Sequence, residues 1–453
     1  MNVVFISTEC SPFATTGIVG DVVYKLAKDV EKEGHNVTIV IPRYGFIDPL
    51  SSCIERLPYE LKVKHYGSSI IASAFKGILP DSLINVFFVE SQNYFSNSKD
   101  IYLTEALGNE ERCKFFSSTA LEIISSLRLH PDIIHFFDSQ TAYVSTLLNS
   151  GQVESFKESS IGTIFTICDM FDFKTFRNYI TDAIKYSNYV TTLSHGYAQG
   201  LLSDVQNFGL SSLLLQKKEH FWGQTLGINE EEYNPENDTV IVQKYSKNYF
   251  TAGKKKCKED LLRELNTEIN PQTPLFAMFT RLNSDEGFDL IISSLTQLLS
   301  LNLQLIIHGS GNPYYEDELL KLAAKHKNLS VCLGYNDNLV KKICAGSDFF
   351  IYPKQFDSSG IPVLVAMKYG CIPIAHISGA MNDIASNGII FKDYKKESLL
   401  DAISTATKLY KNKDKWLKLV KEIMSFDSNE LNTTLKYISC YKNSLVVHEN
   451  NYQ

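Results

Sequence analysis

Three short segments combine glycine with small polar residues just ahead of a helical pattern. They are Thr15-Thr16-Gly17-Ile18-Val19-Gly20-Asp21, His308-Gly309-Ser310-Gly311-Asn312 and Phe356-Asp357-Ser358-Ser359-Gly360-Ile361-Pro362. Small residues let backbone N–H groups approach an anion, and the first N–H groups of a helix have no partner within it. Phosphate or sugar-hydroxyl binding is the chemistry such turns suit. For the first segment a tight turn without a ligand is equally compatible, and the second is a weak signal by itself.

These turns follow apolar runs. Residues 3–7 read as a buried strand, residues 21–33 carry Val22, Val23, Leu26, Ala27 and Val30 at helical spacing, and residues 37–41 read as the next strand. Further apolar runs at 84–89, 133–137, 161–167 and 189–193 alternate with helical stretches. The same alternation restarts at 275–279, 303–307, 329–333, 349–352 and 372–375, with helices at 285–299, 315–325 and 361–367. Residues 230–249 read as a linker or domain edge, and the run Lys254-Lys255-Lys256 as the solvated start of a helix ending near Leu265. Strands alternating with helices imply parallel sheets with right-handed crossovers. The fold class is α/β, with two Rossmann-like doubly wound domains at 1–240 and 241–425, followed by a helical C-terminal segment at 426–453. Ligands in such sheets sit beyond the carboxyl ends of the strands, where all three turns fall.

Composition bounds the rest. The 453 residues are 44% hydrophobic and 21% charged, enough to bury a large core and too apolar for disorder. With 44 Lys and Arg against 51 Asp and Glu, the net charge of -7 disfavours nucleic-acid and anionic-membrane partners. No apolar run reaches the ~20 residues of a membrane span, and residues 1–7 lack a signal peptide's basic start. Nine scattered cysteines without a C-x-x-C pair read as reduced thiols, so the chain is expected to be soluble and cytoplasmic. No histidine spacing suggests a metal, and Trp222 and Trp416 read as packing residues.

The opening "VVFISTECSPFATTGIVGDVVYKLAKDVEKEGHNVTIVIPRYG" resembles the start of bacterial glycogen synthases and plant starch synthases. "PDIIHFFDSQTA", "YVTTLSHGYAQ" and "LGINEEEYNPEND" are similar to that family's H-x-H-D-W-H-T, T-T-V-S-x-x-Y-A and N-G-I-D-x-x-x-W-N-P segments. Later blocks, "PLFAMFTRLNSDEGFDLI", "GSGNPYYEDELLKLAAKHKN" and "FFIYPKQFDSSGIPVLVAMKYGCIPIAHISGAMND", follow in the same order. The resemblance implies the B-type glycosyltransferase fold, ADP-glucose as donor in an interdomain cleft, an α-1,4-glucan as acceptor and no cofactor. It also implies a final helix that crosses back to the N-terminal domain. By resemblance Asp138, Arg281 and Asp357 are the expected catalytic residues. Thr15, Gly17, Asp21, Gln140, Gly309, Gly311, Glu286, Ser359, Gly360 and Ile361 are expected at the donor.

Departures from the family pattern concentrate at these positions. The lysine of K-T-G-G-L-x-D is Thr15, and its second glycine is Ile18. The last histidine of H-D-W-H is Gln140, which bonds a hydroxyl but cannot take up or release a proton as histidine does. T-V-H-N becomes Thr166-Ile167-Cys168-Asp169, and the segment from Asp169 to Ser194 is short where the family has a loop lining the acceptor cleft. R-L-x-x-x-K-G keeps Arg281 but has Glu286 for its lysine, and F-E-P-C-G has Asp357 for its glutamate. Val365 stands where related retaining transferases place a second carboxylate. By analogy with losing one oxyanion-hole donor, losing one fixed cation removes ~2–4 kcal/mol of transition-state stabilisation. Lys354, where the family has a small residue, reads first as a solvated surface lysine and second as a compensating cation. Two readings follow: a glucosyltransferase of glycogen/starch synthase type, or a weak or inactive relative that grips glucan or associates with an active synthase. A transferase for another nucleotide sugar is a third.

Overall fold

Val3, Val4, Phe5 and Ile6 are at most 2% exposed, so the first strand is covered on both faces, as a parallel strand between helix layers must be. This strand, β1 (Asn2–Ile6), pairs in parallel with β2 (Asn36–Pro42) on one side. The computed structural model describes the chain except residues 66, 104–105, 152–155, 157–160, 170–172, 205–208, 226, 231, 268–269, 271, 385–387, 428–430 and 451–453. Of residues 106–107, 431–432 and 446–450 it describes the backbone alone.

The described residues form two compact units. The first holds Met1–Gln224 together with the chain from Leu431 onward. Its remaining strands are β3 (Glu55–Arg56), β4 (Leu61–His65), β5 (Ser68–Ile78), β6 (Asn85–Glu90), β7 (Ile133–Phe137), β8 (Gly162–Ile167), β9 (Tyr189–Thr192) and β10 (Phe221–Gly223). The sheet order is β10-β9-β8-β7-β1-β2-β6-β5-β3, with β4 paired to β5. Strands β3, β4 and β5 are an antiparallel extension that the sequence reading omits. Leu61, Val63 and His65 alternate buried with exposed Lys62 and Lys64, the period-2 pattern of a half-covered strand.

The last helix, Leu431–Asn450, packs on this first sheet. Tyr437 and Tyr441 are fully buried, and a Cβ on Gly162 of β8 would stand 2.7 Å from Ser444 Cβ. Burial holds the His135 ring neutral, and it sits between Tyr441 Oη at 2.8 Å and Thr166 Oγ1 at 2.6 Å. Trp222 donates from Nε1 to Cys440 Sγ on the same helix, so it is a packing residue.

The second unit, Thr225–Glu430, has β11 (Leu275–Phe279), β12 (Gln304–Gly309), β13 (Leu329–Leu333), β14 (Phe349–Tyr352), β15 (Ile372–His376) and β16 (Ile389–Phe391). All are parallel in the order β13-β12-β11-β14-β15-β16. Two expectations are corrected here. The stretch expected to be a linker is packed into this unit: Ile228, Ile241 and Tyr245 are buried, and buried Asp238 accepts from Tyr369 Oη at 2.6 Å. Lys254 is not solvated but 4% exposed, because its ammonium donates to the carbonyls of Cys344, Ala345 and Tyr369. Three acceptors replace its water shell.

Among the parallel strands of each sheet the order reverses once, between β1 and β7 and between β11 and β14. The crevice outside the carboxyl ends at such a reversal is where open α/β sheets bind ligands. Among the described residues no helix is long and apolar enough to cross a membrane, and none form a group of three or more His, Cys, Asp or Glu able to hold a metal.

Candidate active site

In the first unit the two switch-point loops follow β1 and β7. The loop after β1 carries Ser7, Thr8 and Glu9, all buried, and leads through Thr15 and Thr16 to the helix Ile18–Lys32. Thr15 and Asp21 are both bound to Ser11: its hydroxyl donates to Asp21 Oδ1 at 2.5 Å and lies 2.7 Å from Thr15 Oγ1. Gly17 has open space where a Cβ would stand, whereas a Cβ on Gly20 would meet Thr15 Oγ1 at 2.7 Å. The turn needs its second glycine more than its first.

The amides of this turn already hold an anion, and it belongs to the protein. Glu9 Oε2 accepts from Thr16 N at 2.7 Å and Gly17 N at 3.3 Å, while its Oε1 accepts from Tyr102 Oη at 2.5 Å. Glu9 and Tyr102 escaped the sequence reading. The signal for Glu9 lay seven and eight residues ahead of the amides it caps, just past the apolar run at 3–7.

After β7, Asp138 takes φ 66° and ψ 176°, a region occupied almost only by glycine, so its backbone stores ~1–3 kcal/mol of strain. Its amide donates to Thr166 O and its Oδ1 accepts from Asp169 N at 3.1 Å. Burial, and then the charge of Asp169, push the Asp138 carboxyl well above the usual carboxylate range. Gln140, 2% exposed, lies two residues on, and its Oε1 has no partner. A buried amide oxygen left open is what a donor hydroxyl of a ligand would satisfy. Asp138, Asp169 and Gln140 are thus brought together. The shortened segment after Asp169 begins at residues 170–172, outside the described residues.

In the second unit the loops after β11, β12 and β14 converge. Gly309 and Gly311 serve the scaffold. A Cβ on Gly309, at φ 153°, would lie 1.9 Å from Thr280 O, and Gly311 is zipped to Leu282 by a parallel bridge. The Gly311 amide donates to Glu316 Oε1 at 2.8 Å. Gly287, at φ 88°, stands where a Cβ would be 2.5 Å from Pro353 O, so the β11 and β14 loops touch there. Gly287→Ala is expected to lower stability by about 2 kcal/mol through left-handed strain and this contact. Urea unfolding at constant slope measures it, and an unchanged midpoint would mean that the loops separate freely.

That contact places Glu286 against Lys354. Glu286 is 4% exposed; its Oε2 accepts from Thr280 Oγ1 at 2.7 Å, and its Oε1 lies 3.1 Å from Lys354 Nζ and 3.5 Å from Arg281 Nη2. Burial works to raise its carboxyl, but Lys354, the Thr280 hydroxyl and Arg281 hold it below the usual range. Lys354 is therefore not a solvated surface lysine; its side chain is 18% exposed and its ammonium meets the buried Glu286 carboxylate. Arg281 stays half exposed, and its 4.0 Å pair with exposed Asp285 is loose and solvent-screened.

Asp357 is 2% exposed. Its Oδ1 accepts from Tyr352 Oη at 3.2 Å and its Oδ2 has no partner. Burial is the main cause that raises its carboxyl; nearby Lys354 opposes this and Glu286 adds to it. Ser359 and Gly360 are buried beside it, and Gly360, at φ 71°, precedes the helix Ile361–Lys368. Ile361 N–H reaches Ser359 Oγ at 3.4 Å. A switch-point crevice with two cations, an open carboxylate oxygen and a helix start suits a phosphorylated sugar compound.

Residues 2–216 match the starch synthase catalytic domain, and residues 264–422 match glycosyl transferases group 1. A glycogen synthase from Lactobacillus acidophilus is 31% identical over 96% of this chain and 98% of its own. One from Clostridium botulinum is 30% identical over 98% and 99%. The catalytic domain of starch synthase IV from Arabidopsis thaliana, solved bound to ADP and acarbose, superposes with a TM-score of 0.87 at 26% identity, covering 98% of this chain and 99% of that one. Sucrose-phosphate synthase from Thermosynechococcus elongatus shares the fold, with a TM-score of 0.65 at 12% identity over 98% of this chain and 99% of its own. The fold is the B-type glycosyltransferase fold. With 31% identity to a glycogen synthase over 96% of this chain's length, and with residues 2–216 matching the starch synthase catalytic domain, the chain belongs to the glycogen/starch synthase family of nucleotide-sugar glucosyltransferases.

Proposed function

We propose that this chain transfers glucose from ADP-glucose to an α-1,4-glucan with retention of configuration, in the cytoplasm and without a cofactor. The similarity to starch synthase IV carries the donor assignment, because that enzyme was solved with ADP over the same full length. The nine free thiols suit a reducing compartment.

In this reading charge builds on the departing diphosphate as the glucosyl bond breaks. Arg281 is the cation that meets it, with Ser359, Gly360 and the helix start at Ile361 adding N–H and hydroxyl donors. Groups fixed in place before reaction stabilise that charge without reorganising. Asp357 turns its open oxygen to the donor sugar. Within the first unit taken by itself, Asp138 and Gln140 are the residues that would bind sugar hydroxyls, with Thr15, Gly17 and Asp21 on the neighbouring loop. Glu9, rather than the ligand, takes the Thr16 and Gly17 amides.

Purified protein with glycogen is expected to incorporate glucose from ADP-glucose, with UDP-glucose a poorer donor. No transfer from either donor, with glycogen still bound, would support the second reading, in which the chain is a glucan-gripping partner of an active synthase.

A further inference from the structure

Two cations face one carboxylate at the switch point of the second sheet. Glu286 lies on the loop after β11 and Lys354 on the loop after β14, the two strands between which the sheet order reverses. The carboxylate is almost wholly buried, whereas Arg281 remains half exposed and Lys354 keeps a partly open side chain. Both nitrogens converge on the same oxygen, Oε1, because Thr280 occupies the other. Arg281 also meets exposed Asp285 at 4.0 Å and Asp357 lies near Lys354, so acids are not outnumbered here; what the cluster offers is two cations from two loops, aimed by one buried partner at a crevice suited to ligands.

We propose that Lys354 is a second diphosphate-binding cation of this site and that Glu286 is the positioning residue that aims it. This rests on the donor reading above and adds to it a residue on a different loop. Glu286, whose sign is wrong for an anion, then works from behind the cations rather than against the phosphates. A lysine tethered by a buried carboxylate loses little further side-chain freedom when an anion arrives.

Calorimetric titration of ADP, with adenosine in parallel, tests it. Lys354→Met is expected to weaken ADP binding at least tenfold while adenosine binding stays unchanged, since the contact is to phosphate. That variant leaves Glu286 with one fewer partner, so a second variant guards against misfolding: Glu286→Leu with Lys354→Met removes both charges together. The double variant is expected to bind ADP as weakly as the single one. If Glu286→Leu/Lys354→Met binds ADP as tightly as the wild type, Lys354 merely neutralises a buried acid and the proposal fails while the donor reading stands. Wild-type protein that binds neither ADP nor UDP would remove the donor reading, and this proposal with it.

Discussion

Asp138→Asn is expected to lower glucose transfer by about 10²-fold or more and, at pH 7, to raise the thermal midpoint by roughly 2 °C or more. Both effects come from one placement. The carboxyl is 2% exposed, held on a backbone at φ 66°, and faces Asp169. Its folded pKa lies above its unfolded value, so the native state binds the proton more tightly. Stability then falls as pH rises from the unfolded pKa, near 4, up to the folded one. Asparagine cannot ionise, so it escapes that penalty while still accepting the Asp169 amide. Below pH ~4 both proteins carry an uncharged side chain and the difference in midpoint should vanish. Calorimetry at pH 4 and pH 7, beside a transfer assay, reads both halves. Equal midpoints at pH 7 would show that the carboxyl is solvated. Full activity would take Asp138 off the reaction path. If the ionised form is required, wild-type turnover falls with decreasing pH at a value above the usual carboxylate range.

Glu286→Lys is expected to destabilise the second unit by about 3–5 kcal/mol, the usual consequence of breaking a buried ion pair from one side. Two effects compete: a lysine there would attract phosphate, and it would also strand the cations that now meet Glu286. The surroundings of Glu286 decide between them. Thr280, Lys354 and Arg281 all converge on its carboxylate, so a lysine in that place would put three cations around one buried point. Lys354→Ser in the same chain removes the third cation and should recover more than half of the loss. Denaturant unfolding of the single and double variants measures this coupling. A single variant as stable as wild type would mean that the carboxylate is not engaged.

The parallel strands were legible because each is a short apolar run bounded by turn residues: β7, β11, β13 and β14 have the bounds expected from sequence. The antiparallel extension was missed, since β3 is two residues long and β4 signals only by alternation. Polar residues misled where long-range partners neutralise them. Lys254 binds carbonyls roughly ninety or more residues away, and Asp238 meets Tyr369 across a similar gap, separations that no local pattern encodes. At the site, Arg281, Asp138 and Asp357 could be named from motif, but the bond between Glu286 and Lys354 could not. Their two loops approach through a contact between Gly287 and Pro353 that depends on the register of the sheet.

The helix Leu431–Asn450 gives the chain an unusual order of completion. Its tyrosines fill the back of a sheet whose last strand, β10, ends at Gly223. On a ribosome adding ~5–20 residues per second, roughly 10–40 s separate the emergence of that strand from the helix that covers it. Through that interval His135 lacks Tyr441, and the surface around Gly162 lies open to water or to a chaperone. The second unit is synthesised entirely within the same interval, so the half of the protein begun first is the half finished last.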